Sequence, residues 1–513
     1  MGRGRADELV ALLSSVILPL LWMVAIAPLL FTGTKAIFRA LVDPGVLNAL
    51  WFSFVQAILA AAIASALAIP LGYLNATYDY PGRSLIEVVT TAPFTMPTIS
   101  VALAFLLIVR SGLLPAGLPA IALANAYFNF GFCSQMVTSS LLTVGKRLEE
   151  ASEVLGASRL MKWRKIILPL ALRGVSYGFI LTFTLSFASF AVPLLLGGPR
   201  ARTLEVEIYS LYKIYLDEKM ASAAALLQLI ITFSFSMLLT RRAPSPRAME
   251  LRRRRSLPAK LFPILAYPYL LSIIAAYPMC YLFLKSLINP FTGKLAPQVY
   301  LKLISLEYDP ILGVSPLRPL ANSLFYALMT ALIVLTISSL ISLSPKARKL
   351  ATILSMLPLG TSSITMALGL YIIASRLEIP GWIAIILSHV LIAFPFVIRS
   401  LESGVSGLSP SLMDAAETLG LSRLDALFKV AFPASLPAVL SATFYSFALS
   451  ISETSASTLL AEPETSTLTV AALKYSGARK FQMASAISFI VMILTWLFLW
   501  LKSELERRIP WLR

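Results

Sequence analysis

Twelve stretches of this chain are apolar for about the 20 residues that a helix needs to cross the hydrocarbon of a bilayer. They fall near 9–31, 46–75, 86–110, 118–142, 170–196 and 219–240, then near 261–286, 319–343, 351–375, 380–399, 434–461 and 482–501. Inside lipid every backbone polar group must be satisfied within the segment, which leaves helices as the structure for such runs. The sequence predicts an all-α polytopic membrane protein. Of 513 residues, 58% are hydrophobic and 13% charged, whereas a soluble domain carries roughly 25% charge. The net charge of +18 would suggest nucleic-acid binding in a soluble protein. Here the basic residues sit in short loops, so no nucleic-acid partner is expected. Ala25-Ile26-Ala27 has the form of a signal-peptidase site, but the first run is too long for a signal-peptide core and is expected to stay.

Lysine and arginine in short loops set orientation. With a cytoplasmic N-terminus, one side holds Arg3 and Arg5, Arg83, Lys146 to Lys165, and Arg241 to Lys260. It also holds Lys346, Arg348 and Lys349, Arg423 and Lys429, and Lys502, Arg507, Arg508 and Arg513. The loop at 111–118 has no charge, and "GPRARTLEVEIYSLYKIYLDEK" reads as an outside loop of mixed sign. Both termini are therefore expected in the cytoplasm of a multi-pass plasma (inner) membrane protein. "RRAPSPRAMELRRRR" reads as a basic cytoplasmic linker near anionic headgroups.

The chain also repeats itself. "EEASEVLGASRLMKWRKIILP" (Glu149 to Pro169) aligns without a gap to "MDAAETLGLSRLDALFKVAFP" (Met413 to Pro433), an offset of 264 (420 − 156). Phe183, Leu185 and Ser186 meet Phe447, Leu449 and Ser450 at that offset, and Pro93, Ile99 and Ala102 meet Pro358, Ile364 and Ala367 at 265. Six spans per half is an even number, so the two halves run parallel about an axis along the membrane normal, with a site expected between them. The division is 1–240, a linker at 241–260, and 261–513.

Each copy of the doubled segment is helical in its apolar spacing, interrupted by Gly156 or Gly420. A glycine there fits a helix end and a turn. Ser158 or Ser422 can cap a second helix, and Pro169 or Pro433 stands where a span begins. Alone, either copy could be a connector lying on the bilayer; two at one topological place favour docking of a two-fold partner.

These residues resemble the cytoplasmic motif of the inner-membrane permease subunits of ABC importers: E-A-A, three residues, G, nine residues, I-x-L-P. Glu150-Ala151-Ser152, Gly156 and Ile166-Ile167-Leu168-Pro169 follow it, as do Asp414-Ala415-Ala416, Gly420 and Val430-Ala431-Phe432-Pro433. Ser152, Asp414, Val430 and Phe432 are mild departures. The resemblance covers nearly the whole chain, one permease module per half. It implies about twelve transmembrane helices in two parallel six-helix repeats of the binding-protein-dependent ABC permease type. It also implies that the motif helices couple to ATP-binding cassette ATPase subunits through Glu150, Ala151, Glu153, Gly156, Ser158 and Arg159, and through Asp414, Ala415, Ala416, Glu417, Gly420, Ser422 and Arg423. A periplasmic or extracellular solute-binding protein is the implied partner opposite, with membrane lipid around the chain. No G-x4-G-K-[ST] phosphate loop occurs, so no cofactor is expected on this chain, ATP being used by the partner. The chain is not expected to be an enzyme.

"YDYPGRSLIEVVTTAPFTMPTISVALAFLL", "ANAYFNFGFCSQMV" and "LGGPRARTLEVEIYSLYKIYLDEKMASAAALLQLI" look like the iron(III) and thiamine branch of that family. Thiamine is the expected solute, iron(III) the second, with phosphonates, polyamines and oxyanions behind them. The fifth span of each half carries a polar stripe: Thr182, Ser186 and Ser189, then Ser446, Ser450, Glu453 and Ser457. Intervals of three and four would hold each stripe on one helix face. Such residues either line the translocation path or glue helices together. Gln56, Asn125, Asn129, Gln135 and Asn322 carry the same two readings. His389 reads as a satisfied interior histidine, and no metal site is expected. A self-contained secondary transporter of the major-facilitator type is the alternative, but it leaves the doubled motif unexplained.

Overall fold

The computed structural model describes residues 2–142, 168–198, 201–242, 259–290, 292–342, 345–406 and 432–508, and short stretches between them. The first half contains α1 (Gly2–Gly33), α2 (Pro44–Thr77), α3 (Arg83–Thr91), α4 (Thr98–Arg110), α5 (Leu118–Leu142), α6 (Leu168–Phe187), α7 (Ala191–Leu196), α8 (Leu204–Lys213) and α9 (Glu218–Arg242). The second half repeats the series: α10 (Ala266–Leu287), α11 (Leu317–Ser342), α12 (Pro345–Leu354), α13 (Ser363–Arg376), α14 (Gly381–Ser406), α15 (Phe432–Ser452), α16 (Ser455–Leu460), α17 (Leu468–Gly477) and α18 (Phe481–Arg508). Among the described residues, seven helices are long and apolar enough to cross a membrane, or nine when each of two bent pairs counts as one. Helices α5, α6 and α15 occupy the other three places of the twelve-span expectation. Within α6 and α15 the described apolar portions are Gly174–Phe187 and Leu440–Ser452.

Local chemistry sets the ends. Asp43 accepts from Val46 N at 2.9 Å, and Pro44 follows at the first turn of α2, the position where its missing N–H costs nothing. Pro169 and Pro433 stand second in α6 and α15. Packing then relies on small residues, since lipid tails give apolar side chains no reason to leave them. A Cβ on Gly174 would sit 2.5 Å from Met136 O, and one on Gly178 2.5 Å from Cys133 Sγ. These two glycines let α6 lie flush on α5. Ala57, Ala60, Ala61, Ala64 and Ala68 of α2 are fully buried for the same reason.

Three expectations need correction. The third and ninth spans are not straight: 83–95 meets 98–110 at 97°, and 346–359 meets 363–376 at 92°. Pro97 offers no N–H and holds Met96 extended, while Ser362, extended, accepts from Thr365 N at 3.1 Å and starts α13 afresh. The fifth and eleventh spans are broken rather than continuous to 196 and 461. Their last bonds tighten to Ser189 N to Ser186 O at 3.2 Å and Glu453 N to Ser450 O at 3.3 Å, the three-residue spacing of a helix end. The stripe therefore crosses a break and does not lie on one helix face. Finally, "TLEVEIYSLYK" is no loop: α8 buries Leu204, Glu205, Val206, Glu207 and Ile208, as α17 buries its counterparts.

The halves exchange their first spans. Helix α1 packs on α9 of its own half but also on α11, α12 and α13; helix α10 packs on α18 and reciprocally on α3 and α4. A Cβ on Gly369 of α13 would overlap Ala25 O of α1. Trp22 Nε1 donates to Thr361 Oγ1 at 2.9 Å and Tyr127 OH to Ala275 O at 2.8 Å. The rest of the seam pairs α4 with α17 and α18, and α13 with α8 and α9. The last residues of α13 and α4 close its edges: Arg376 binds Glu218 at 2.7 Å, and Arg110 lies 4.2 Å over the Phe481 ring. A two-residue parallel pair, β1 (Tyr78–Asp79) with β2 (Arg255–Ser256), places the α2–α3 turn and the basic linker at one end of the bundle.

Candidate functional site

Each half buries a polar knot beside the break in its fifth span. In the second half Glu453 closes α15, and its carboxylate caps α16. Oε1 accepts from Ala456 N at 2.9 Å; Oε2 accepts from Ser457 N and Ser457 Oγ, both at 2.9 Å. A carboxylate at a helix N-terminus meets the exposed N–H groups and the positive end of the dipole. His389 of α14 joins the knot, with Nδ1 2.7 Å from Ser450 Oγ and Nε2 3.0 Å from Ser457 Oγ. Ser457 has given its one proton to Glu453, so it must accept from His389 Nε2–H. A neutral ring then takes the Ser450 proton at Nδ1. Nε2 also lies 3.6 Å from Glu453 Oε2. The histidine is satisfied, and three predicted stripe residues meet around it.

The first-half knot is uncharged. Asn125 stands at the His389 position (389 − 125 = 264). Its amide donates to Gln56 Oε1 at 2.9 Å, and Gln56 Nε2 donates to Ser186 O at 2.6 Å. Asn129 donates to Asn125 O at 2.8 Å, and Asn322 to Glu464 O and Ser466 O at 2.8 and 3.0 Å. Thr182, Ser186, Ser446, Ser450, Glu453 and Ser457 are buried and Ser189 is half-buried. The symmetry reaches single bonds: Ser53 Oγ accepts from Leu204 N at 2.7 Å, and Ser323 Oγ from Leu468 N at 2.8 Å.

Sequence reasoning missed Glu205. It lies at the start of α8, is 1% exposed, and accepts from Gln228 Nε2 at 2.6 Å. Its Oε2 closes no hydrogen bond, and Ser362 of the other half stands nearby. The signal in the sequence is a glutamate between Leu204 and Val206, with Ile208 one turn on from Leu204, inside a stretch whose mixed charge reads as a loop. Glu205 and Glu453 thus bury a carboxyl group in each half. Among the described residues no lysine or arginine is buried to match them.

At the bundle end marked by β1 and β2 the doubled segments begin. Gly156 and Gly420 have φ of +71° and +84°, the left-handed region that glycine enters freely. A Cβ on either would meet nothing within 4 Å. Ser158 Oγ accepts from Met161 N at 3.3 Å, a cap for the second helix. Val154, Leu155 and Leu419 are 86%, 85% and 83% exposed. Ala415 is exposed, Ala416 is buried, and Arg423 opens a short helix over 423–426. Glu150, Ala151, Glu153, Arg159, Asp414, Glu417 and Ser422 lie outside the described residues.

Comparison with known proteins decides the family. The family described as "Binding-protein-dependent transport system inner membrane component" matches twice, over 64–248 and 327–510. The chain belongs to that family. Similar proteins include the molybdate/tungstate transport system permease protein WtpB of Pyrococcus abyssi, 29% identical over 36% of this permease and 76% of the relative. The sulfate transport system permease protein CysW of Escherichia coli K12 is 28% identical over 39% and 73%. The spermidine/putrescine transport system permease protein PotC of the same strain is 27% identical over 36% and 70%. Most of each relative corresponds to little more than a third of this permease, whose two family matches are nearly equal in length. The major-facilitator alternative is not favoured.

Proposed function

We propose that this chain is the whole membrane path of an ATP-driven importer, with two permease modules, 1–240 and 261–513, fused through the cytoplasmic linker 241–260. A separate solute-binding protein delivers the solute on the face away from the doubled segments. ATPase subunits dock on those segments in the cytoplasm, where both termini also lie, and supply the hydrolysis this chain does not perform. The observation that carries the reading is the pair of segments turned at Gly156 and Gly420, each offering exposed aliphatic side chains where a two-fold partner can bury them. Apolar residues that exposed favour a partner over water.

Among the relatives, the names cover anions and a polyamine, so family alone leaves the sign of the solute open. The buried carboxyl groups favour a cation. Glu205 and Glu453 are buried with no buried lysine or arginine among the described residues, and carboxyl oxygens are acceptors that suit a solute carrying N–H donors or positive charge. Thiamine is the first candidate, ahead of a polyamine and iron(III). The test is uptake into vesicles holding this chain, its ATPase and its binding protein, with labelled thiamine, spermidine, iron(III) and sulfate. ATP-dependent uptake of a cation that survives a protonophore is expected. Uptake of sulfate alone would overturn the cation, and uptake without the ATPase would overturn the importer.

A further inference from the structure

A second polar site lies in the first half, away from the knots. A cavity of about 200 Å³ opens between the end of α2, helix α3 and the second half of α5, lined in part by Asn75, Glu87, Thr90, Thr91, Ser134 and Thr138. That is roughly six or seven water volumes, room for a small ligand. Its wall is built by contact: a Cβ on Gly131 would overlap Thr90 O, so α3 and α5 touch there without a side chain between them.

Three threonine hydroxyls of the wall spend their protons on the backbone and face the cavity as acceptors. Thr90 Oγ1 donates to Ile86 O at 2.7 Å, Thr91 Oγ1 to Glu87 O at 2.6 Å, and Thr138 Oγ1 to Ser134 O at 2.8 Å. Each hydroxyl keeps its lone pairs for something else. Glu87 adds a carboxylate; Arg83 engages its Oε1 at 2.7 Å. Ser134, 2% exposed, lines the cavity with an Oγ that has no hydrogen-bond partner. A buried hydroxyl left unpaired is costly unless a ligand or water completes it. The copy in the second half is different. Thr352 stands for Glu87, Ile398 for Ser134 and Arg399 for Gln135, which replaces the carboxylate by a neutral hydroxyl, the serine by an aliphatic side chain and the amide by a positive charge.

We propose that this cavity is a binding site for a small organic cation, an amine or diamine, present in the first module alone. The ammonium sits between Glu87 and Ser134, donating to the carboxylate and to the hydroxyl oxygens around it. It ties α3 to α5, the helix that leads into the first doubled segment. The site goes beyond the importer reading and does not depend on which solute is carried.

The test is equilibrium binding of putrescine to the purified full chain in nanodiscs, without ATPase or binding protein. Butane-1,4-diol and sulfate serve as uncharged and anionic comparisons. Putrescine is expected to bind and the diol and sulfate not to. Glu87→Gln should weaken it roughly tenfold to a hundredfold, the worth of a hydrogen bond to a charged group. Ser134→Val, which fills the cavity, should do the same, and Thr352→Val in the other half should leave affinity within twofold. If Ser134→Val does not fold, the wild-type comparison and Glu87→Gln decide. Equal binding of the diol, no binding of putrescine, or unchanged affinity in Glu87→Gln would overturn the site.

Discussion

Replacing Glu453 by glutamine looks conservative on paper, since the amide keeps the shape and one acceptor. The structure says otherwise. Three donors converge on the carboxylate: Ala456 N and Ser457 N from the first turn of α16, and Ser457 Oγ, each at 2.9 Å. An amide has one oxygen and one NH2. Turned either way, it leaves a backbone N–H facing another donor, in a place that is 9% exposed. An orphaned buried donor costs about 1–3 kcal/mol. Loss of the negative charge at the dipole adds a few tenths up to about 1 kcal/mol. Glu453→Gln is therefore expected to cost about 2 kcal/mol. The assay is thermal unfolding of the purified chain, with Ser457→Ala as a smaller step of about 1 kcal/mol. Cation uptake is then measured well below both unfolding midpoints, where a folded variant still reports on charge. A fall in uptake there, with receptor binding unchanged, is expected. A glutamine variant as stable as the wild type would refute the cap, and normal uptake would refute a required charge.

Other outcomes follow from single contacts. Gly369→Val drives a side chain into Ala25 O and should loosen the α1 clasp by about 1–3 kcal/mol or more, read as a lower unfolding midpoint. Arg376→Met removes an ion pair whose members are 57% and 37% exposed, so its effect should stay below about 1 kcal/mol. Cysteines at Ser245, in the linker, and at Leu306, 79% exposed, should label from opposite membrane sides with an impermeant reagent. Labelling from one side would break the orientation.

The repeat, the helical class and the doubled segment were legible because each is written in residue order: apolar length, an offset near 264, a glycine between helical stretches. The bends were not. Hydropathy counts 86–110 as one run, and the 97° turn depends on Pro97 and on what α10 and α5 offer the two limbs. The stripe was half legible. Ser189 and Glu453 do occupy equivalent places, but those places are helix breaks, so periodicity carried past them joined residues of two helices. Glu205 was hard to read for a related reason. Its charge argued for water, and only the packing of α8 against α13 shows why it is buried.

The central claim is that the two doubled segments are where an ATPase grips this chain. The most direct measurement is association of the ATPase with the double variant Gly156→Val, Gly420→Val in nanodiscs. Valine resists the left-handed backbone both glycines hold, and a side chain there meets no neighbour, so the bends change while the bundle stands. Normal membrane insertion, with ATPase association and solute-stimulated hydrolysis lost, is the predicted result. An ATPase that still binds and drives full transport through the double variant would contradict it.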